Sequence, residues 1–182
     1  MRADARRNRE ALIATAGAAF AADGVSASLE EIARRAGVGI GTLYRHFPTR
    51  EDLVEAVYRR EVEELCAAAD RLLAEHPADR ALELWLQRFI DYAATKRGLI
   101  EGLRVIFAAG TGRLSDISGR ISGALERLIR AAREAGLIRT DLGTEDVLHA
   151  LTAIHAAPQG PDWRDRSLRL VQLVMDGLRC RA

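Results

Sequence analysis

The chain has 182 residues, of which 48% are hydrophobic and 29% are charged, so it can bury the core of one large domain or of two small ones. Its formal net charge of +1 excludes a general electrostatic attraction to nucleic acid and leaves any such affinity to locally placed cations. Cys66 and Cys180 form neither a disulfide framework nor a metal-ligand spacing, and no apolar run of about 18 residues or signal peptide is evident. We therefore expect a soluble cytoplasmic protein with no metal or other cofactor, in which the thiols are structural or incidental rather than redox sensors.

Helical periodicity begins near the amino terminus. A helix is predicted over residues 6–22, and its inner face carries Leu12, Ala16, Ala19 and Phe20. The arm that leads into this helix is rich in arginine, namely Arg2, Arg6, Arg7 and Arg9. Two interpretations of the arm stay open: it lies against a phosphate backbone or in a minor groove, or it is a solvated disordered tail.

Residues 28–47, SLEEIARRAGVGIGTLYRHF, carry the most informative local pattern of the chain. Ser28 and Glu31 match a capping box, in which each side chain accepts the free backbone N–H of the other residue. A short helix then runs to Ala36, and Gly37 supplies the left-handed backbone that ends it. A second helix of about two turns follows, and it stops before Pro48 because a residue that precedes proline is pushed out of the helical conformation.

The second helix of this pair has an apolar and a polar side. Leu43 and Phe47 are expected to point inward. The residues available on the outside are Thr42, Tyr44, Arg45 and His46. Two helices joined by a tight glycine turn commonly place the second helix in a DNA major groove, and these outer groups can donate to phosphates and base edges. A helical hairpin that only packs is the less favoured alternative.

The segment resembles the N-terminal domain of the TetR family of transcriptional regulators (TetR/AcrR-like). The resemblance spans about residues 6–57 and rests on residues 20–24 (FAADG), 29–38 (LEEIARRAGV) and 41–53 (GTLYRHFPTREDL). It implies an all-α fold, in which an N-terminal three-helix helix-turn-helix domain is joined by a long helix to a C-terminal helical domain for ligand binding and dimerisation. We place these domains at residues 1–57 and 58–182.

The residue types and the resemblance together predict the residues that contact DNA. Tyr44 and His46 are expected on phosphates, and Arg45 on base edges, where its guanidinium can pair with guanine. Arg50 and the helix N-termini near Ser28 and Thr49 should also reach phosphates. The complete predicted set is Ser28, Leu29, Ile40, Gly41, Thr42, Tyr44, Arg45, His46, Thr49 and Arg50.

Helical periodicity is nearly continuous in the rest of the chain and predicts about nine helices in all. Thr49 and Asp52 open a long helix over residues 50–75. Its inner face carries Leu53, Val57, Leu65, Leu72 and Leu73. Later helices are predicted over residues 80–96, 99–109, 116–135 and 144–157 and from residue 163 onward, with Thr144 and Asp162 as the N-caps of the last two.

An aromatic row in the C-terminal half has two interpretations. It is either ordinary core or the wall of a pocket for a small effector, which the resemblance favours. The predicted pocket residues are Trp85, Phe89, Tyr92, Ile106, Phe107 and His149. His149 and His155 are polar anchors in that pocket or structural histidines, and their spacing along a helix does not suit a metal site.

The last two helices are unusually apolar for their length. We interpret this excess as a homodimer interface, a four-helix bundle with two helices from each subunit, as the resemblance also implies. The predicted interface residues are Leu148, Leu151, Ile154, His155, Leu170, Val171, Val174 and Leu178. The alternative is that both helices are internal to one chain.

The sequence favours a regulator over an enzyme, because it contains no nucleophile elbow, phosphate-binding glycine loop or H-E-x-x-H pattern. It predicts a ligand-responsive DNA-binding regulator, most simply a repressor that binds an inverted-repeat operator as a dimer and is released by a small apolar effector. Two other classes stay open. One is an effector-free architectural DNA-binding protein of the same fold, and the other is a helical small-molecule-binding protein or enzyme that does not bind duplex DNA.

Overall fold

The computed structural model describes residues 2–108, 114–156, 160 and 162–179. Within these residues, nine α-helices and one 3-10 helix form the predicted all-α fold. The N-terminal helices are α1 (Arg2–Asp23), the 3-10 helix (Gly24–Ser26), α2 (Leu29–Arg35), α3 (Ile40–His46) and α4 (Arg50–Glu75). The remaining helices are α5 (Ala78–Gly98), α6 (Ile100–Ala108), α7 (Ile117–Glu134), α8 (Thr144–Ala156) and α9 (Trp163–Leu178).

Helix α1 begins at Arg2, earlier than the predicted start at residue 6. Arg6 pairs with Glu10 at 3.7 Å and Arg7 pairs with Asp4, one helical turn away in each case. Such pairs stabilise a helical backbone, so the interpretation of this arm as a disordered tail is wrong. The inner face predicted for α1 is buried, namely Leu12, Ala16, Ala19 and Phe20.

The described residues form two compact units. The first unit comprises Met1–Glu61 and Ala94–Ser115, and the second comprises Val62–Ala93 and Asp116–Ala182. Helices α4 and α5 therefore contribute residues to both units, and α6 belongs to the first. The predicted domain division at residue 57 stays a prediction.

Two glycines let α6 pack with the N-terminal helices of the first unit. At Gly98, where α5 ends, a Cβ atom would lie 2.4 Å from the carbonyl oxygen of Phe20 in α1. At Gly102 in α6, a Cβ atom would lie 3.1 Å from both methyl groups of Val54 and 3.3 Å from Val25. Only residues without side chains allow the backbone to approach so closely.

The turn between α2 and α3 has the predicted glycine geometry. Gly37 has a φ of +72°, in the left-handed region that side chains disfavour. The N–H of Val38 donates to the carbonyl of Ala33 at 3.0 Å, which completes the Schellman pattern at the end of α2. Helix α2 ends at Arg35 rather than at the predicted Ala36.

Helices α5, α7, α8 and α9 supply most of the core of the second unit. Helix α8 packs against both α7 and α9. The large side chains buried on these helices include Trp85, Leu86, Leu125, Leu128, Leu151 and Met175. A second left-handed glycine, Gly136, ends α7 as predicted.

Charged side chains tie the end of α9 to the beginning of α5 in the second unit. Arg179 donates to the carboxylate of Glu83 at 2.7 Å and to that of Asp79 at 3.2 Å. An isolated antiparallel bridge also pairs Ile138 with Arg179. Sequence reasoning missed these contacts because the partners lie far apart along the chain.

Three local predictions differ from the structure. Helix α8 begins at Thr144 itself, so Gly143 precedes the helix, and its N–H donates to the Asp146 carboxylate at 2.6 Å. Asp162 is the N-cap residue of α9, but its side chain makes no capping hydrogen bond. Leu73 is half-buried, unlike the other residues predicted on the inner face of α4.

No described helix combines the length and apolar character that crossing a membrane requires. Nor do the described residues include a cluster of three or more His, Cys, Asp or Glu side chains placed to hold a metal ion.

Candidate nucleic-acid interface

Helix α3 is anchored by two buried side chains and turns its other residues outward. Leu43 is 0% exposed and Phe47 is 2% exposed, as predicted for the inner side. Tyr44 is the most accessible large apolar residue of this helix, at 46%. Arg45 and Gly41 are also exposed, and the half-buried residues are Ile40, Thr42 and His46. A hydroxyl, a guanidinium and an imidazole group therefore lie at or near the surface of one short helix.

The backbone at the start of α3 is open to close approach. A Cβ atom at Gly39 or Gly41 would meet nothing within 4 Å. The α3 backbone can therefore come close to another molecule without a side chain in between, which supports the predicted role of Gly41.

Only half of the capping box predicted before α2 is formed. The Ser28 hydroxyl accepts the backbone N–H of Glu31 at 3.2 Å. The Glu31 carboxylate does not return the bond but accepts two N–H groups of Arg34 at 2.6 and 2.8 Å. These hydrogen bonds lower the pKa of Glu31. An ion pair within α2 therefore replaces the reciprocal half of the box.

The residues at the beginning of α2 are less available to DNA than predicted. The Ser28 hydroxyl donates to the Glu30 carboxylate at 3.0 Å. A backbone hydrogen bond to Glu30, together with this Ser28 contact, lowers the pKa of Glu30 below its ordinary value. Leu29 is 6% exposed, so the prediction that it contacts DNA is wrong for its side chain. A contact through the backbone N–H of Leu29 stays a prediction.

The beginning of α4 carries the complete capping box that α2 lacks. The N–H of Asp52 donates to the Thr49 hydroxyl at 3.1 Å, and the N–H of Thr49 donates to the Asp52 carboxylate at 3.1 Å. This reciprocal pair fixes the start of α4 at Arg50, as predicted from the sequence.

Arg50 is half-buried and partly committed to the protein itself. Its Nη1 atom donates to the carbonyl of Ala27 at 2.7 Å and to that of Val25. Nη1 therefore ties the segment before α2 to the start of α4. A phosphate contact through the other nitrogens of Arg50 stays a prediction.

Arg9 is a neighbour of α3 that sequence reasoning did not single out. The Cζ atom of its guanidinium lies 5.3 Å from the centroid of the Phe47 ring. The sequence shows Arg9 only as one of several arginines in the arm, and no local pattern pairs it with an aromatic residue so far along the chain.

The aromatic row of α5 has the properties of a core. Trp85, Phe89 and Tyr92 are exposed by 0%, 8% and 5%, and the indole N–H of Trp85 donates to the carbonyl of Leu65 at 2.8 Å. The centroid distances are 6.0 Å between the rings of Trp85 and Phe89 and 5.6 Å between those of Phe89 and Tyr92. A role of this row in ligand binding stays a prediction.

The other predicted pocket residues differ in their exposure. Ile106 is buried on α6, and the side chain of Phe107 lies outside the described residues. His149 is exposed on α8, and its role as a polar anchor of a pocket stays a prediction.

The predicted dimer-interface residues divide between two faces of α8 and α9. The buried ones, which belong to the core of their own chain, are Leu151, Ile154, Val171 and Leu178. Assigning these four to a dimer surface is therefore wrong, because their apolar area is already covered. The half-buried ones are Leu148, Leu170 and Val174, and Leu173, which sequence reasoning missed, is 66% exposed. The side chain of His155 lies outside the described residues.

Family models match most of this chain. Residues 12–57 match the bacterial regulatory proteins of the tetR family, and residues 77–180 match the C-terminal domain of SbtR-like transcriptional regulators. The TetR transcriptional regulator SCO0520 from Streptomyces coelicolor is 47% identical, with 96% of this chain and 99% of that chain covered and a TM-score of 0.87. The chain belongs to the TetR family. A TetR regulatory protein from Mycobacterium vanbaalenii is also similar, with 34% identity, 98% and 99% coverage and a TM-score of 0.80.

The similarity to curated transcriptional regulators covers a shorter stretch. An HTH-type transcriptional regulator of Staphylococcus aureus (strain USA300) is 41% identical over 64 residues. That match covers 35% of this chain and 35% of the relative. These proteins are transcriptional regulators and not enzymes, in agreement with the sequence prediction.

Proposed function

We propose that this member of the TetR family is a ligand-responsive repressor that binds an inverted-repeat operator as a homodimer and is released by a small apolar effector. The observation that carries the proposal is the outer side of α3, which presents Tyr44, Arg45 and the half-buried His46 together with an open backbone at Gly41. We place the protein in the cytoplasm, because its proposed partner is DNA.

Each outer residue of α3 has a role in this proposal that follows from its chemistry. The hydroxyl of Tyr44 and the imidazole of His46 donate to phosphates and set the register of the helix on the duplex. Arg45 reads a base edge through its forked guanidinium. Gly41 and Thr42 let the helix approach and contribute a hydroxyl and a methyl group. The buried anchors Leu43 and Phe47 hold this helix rigidly enough for such contacts.

The outward residues of α9 support the homodimer. Leu170, Leu173 and Val174 recur at helical spacing, and at Gly177, one turn further on, a Cβ atom would meet nothing within 4 Å. An exposed leucine beside an open glycine backbone favours close packing of a second helix. A two-fold dimer would bring two α3 helices to half-sites about 34–36 Å apart, which is why we expect an inverted repeat.

The effector part of the proposal rests on the aromatic row of α5, which provides an apolar wall. An effector would act by favouring one dimer geometry, and its effect is limited to the difference between its affinities for the two geometries. The hydrogen bond from Trp85 to Leu65 and the burial of the row favour a second candidate, a DNA-binding protein of the same fold without an effector.

Footprinting of the gene's upstream region at low ionic strength, followed by fluorescence anisotropy, tests the DNA-binding proposal. We expect protection of a palindrome, weaker binding to all sequences for Tyr44→Phe and His46→Ala, and a loss of about 1–3 kcal/mol of discrimination at one base pair for Arg45→Ala. Arg130→Ala, which removes an exposed arginine of α7, is the matched control and should bind normally. Absence of any protected palindrome would refute the proposal.

A thermal-stability screen separates the two candidate functions. A ligand at about 100 times its Kd stabilises the protein by about 2.7 kcal/mol, so a true effector is easily detected. We expect at least one apolar compound both to raise Tm and to weaken operator binding. If stabilising compounds leave operator affinity unchanged, the effector-free candidate is the correct one.

A further inference from the structure

We propose that Arg9 of α1 and His46 of α3 form an additional binding site for a phosphate group of the DNA backbone, in the cleft between α1, the end of α3 and α4. This inference rests on the proposed DNA binding and deepens it. It adds to the interface a residue from outside the helix-turn-helix pair.

The Phe47 ring holds the Arg9 guanidinium in place. The Cζ atom of Arg9 lies 5.3 Å from the ring centroid, within the range of a cation–π interaction. Because Phe47 is only 2% exposed, its ring is a rigid platform. A guanidinium that stacks through its face keeps the N–H groups of its edge available for a phosphate oxygen.

Arg9 differs from the neighbouring arginines of α1 in its charge environment. Arg6 pairs with Glu10 at 3.7 Å, and Arg7 pairs with Asp4. Among the residues that the structure describes, no carboxylate lies within ion-pair distance of Arg9, whose guanidinium lies over the Phe47 ring instead. Arg9 therefore makes no direct ion pair of the kind that Arg6 and Arg7 make.

The cleft beside Arg9 has room for a phosphate group and contains a second donor. Its volume is about 300 Å³, and it is lined by Arg9, His46, Pro48, Asp52, Glu55 and Arg59. His46 is half-buried at the end of α3, the helix proposed to enter the major groove. A phosphate bound in this cleft would therefore belong to the same DNA strand that α3 contacts.

Each of the two carboxylates in the cleft wall accepts hydrogen bonds from the protein through one of its oxygens, Oε1 of Glu55 and Oδ2 of Asp52. Glu55 accepts the Nε–H of Arg59 at 2.9 Å. Asp52 accepts the hydroxyl of Thr49 at 2.7 Å and its N–H at 3.1 Å. The charge of Glu55 is offset by Arg59, and Asp52 accepts the hydrogen bonds of the capping box. The groups best placed to bind an anion in the cleft are therefore Arg9 and His46.

The test measures operator affinity by anisotropy over a series of NaCl concentrations. Each phosphate contact contributes about −0.9 to the slope of log K against log salt. Arg9→Met keeps an apolar stem over Phe47 and removes the charge, so we expect about tenfold weaker binding and a slope less steep by about 0.9. Arg9→Lys should retain the wild-type slope. Arg130→Met, at an exposed arginine of α7 outside the proposed interface, is the control and should leave the slope unchanged.

Each outcome separates this inference from the proposal on which it rests. If wild type shows no salt-dependent duplex binding, the proposed function fails. If wild type binds DNA but Arg9→Met retains its affinity and slope, only the phosphate site is overturned. A loss of affinity at constant slope, together with a lower Tm, would make Arg9 a packing residue and would also overturn the site. Stabilisation of wild type, but not of Arg9→Met, by millimolar inorganic phosphate, without any change of slope, would assign the cleft to a free anion instead.

Discussion

The Ser28 hydroxyl is occupied by intramolecular hydrogen bonds at the position where a phosphate contact is predicted. It accepts the Glu31 N–H and donates to the Glu30 carboxylate at 3.0 Å. Glu30 also brings a negative charge to the beginning of α2, where a phosphate would be repelled. In the proposed complex, Glu30 therefore opposes the contact that Ser28 and the first amides of α2 would make.

Replacing Glu30 tests this residue-scale effect. We expect Glu30→Gln to bind operator DNA about two- to fivefold more tightly at low salt, because an exposed charge has only a modest effect. The gain should shrink as the NaCl concentration rises and screening increases. Anisotropy titrations measure both quantities, and Glu134→Gln at the end of α7 is the control. An unchanged or lower affinity of Glu30→Gln would show that Glu30 does not oppose DNA.

At the scale of helices, the close contact between Gly98 and α1 is the most demanding packing of the first unit. A Cβ atom there would lie 2.4 Å from the Phe20 carbonyl oxygen, and backbone atoms cannot move away as a flexible side chain can. We expect Gly98→Ala to lower the free energy of unfolding by about 1–3 kcal/mol, as overpacking does.

Gly119 in the middle of α7 provides the matched control for Gly98. A Cβ atom at Gly119 would meet nothing within 4 Å. Because alanine favours a helix over glycine, Gly119→Ala should raise the free energy of unfolding by up to about 1 kcal/mol. Urea denaturation measures both variants, and equal effects of the two substitutions would contradict the steric argument.

Lys96, near the end of α5, is the only lysine of the chain and is half-buried. Burial disfavours its charged form and lowers its pKa below the ordinary 10.5. The unfolded chain therefore holds this proton more strongly than the folded one. The resulting destabilisation is complete below the folded-state pKa and disappears as the pH rises towards 10.5.

Lys96→Met should therefore be more stable than wild type near pH 7. We expect a Tm increase below about 3 °C, because partial exposure screens the charge. The difference should narrow as the pH approaches 10.5, and melting curves over this pH range measure it. NMR titration of the single lysine side chain reads its pKa directly, and an unshifted value would refute the argument.

At the scale of the whole molecule, the exposed side of α9 supplies the residues that can form a dimer interface. Leu173 is 66% exposed, and Leu170 and Val174 flank it on the same side. A leucine that becomes buried on association contributes about 1.5–3 kcal/mol. The proposed dimer would bury this residue in both copies.

Leu173→Glu should therefore raise the dimer dissociation constant at least about tenfold and weaken operator binding with it. Val105→Glu is the control, because Val105 is 55% exposed on α6, outside the proposed interface. Sedimentation velocity measures the association state of both variants. A Leu173→Glu variant that stays as dimeric as wild type would place the interface elsewhere.

The sequence by itself determined the features that depend on near neighbours in the chain. The left-handed Gly37, the Thr49–Asp52 capping box and the buried anchors of α3 were all predicted, because turns, caps and helical faces depend on residues within one or two helical turns. The same local patterns carried the resemblance to the TetR family, and the family matches over residues 12–57 and 77–180 confirm that membership.

Tertiary structure alone decided the features that join distant segments. The stacking of Arg9 on Phe47 and the approach of Gly98 to Phe20 follow from helix packing, which no local pattern encodes. The inner side of α9 was decided in the same way. Val171 and Leu170 are chain neighbours of similar hydrophobicity, but the folded chain buries Val171 completely and leaves Leu170 partly exposed. Hydrophobic periodicity shows that a face exists, but the surrounding helices determine which apolar residues remain available to a partner.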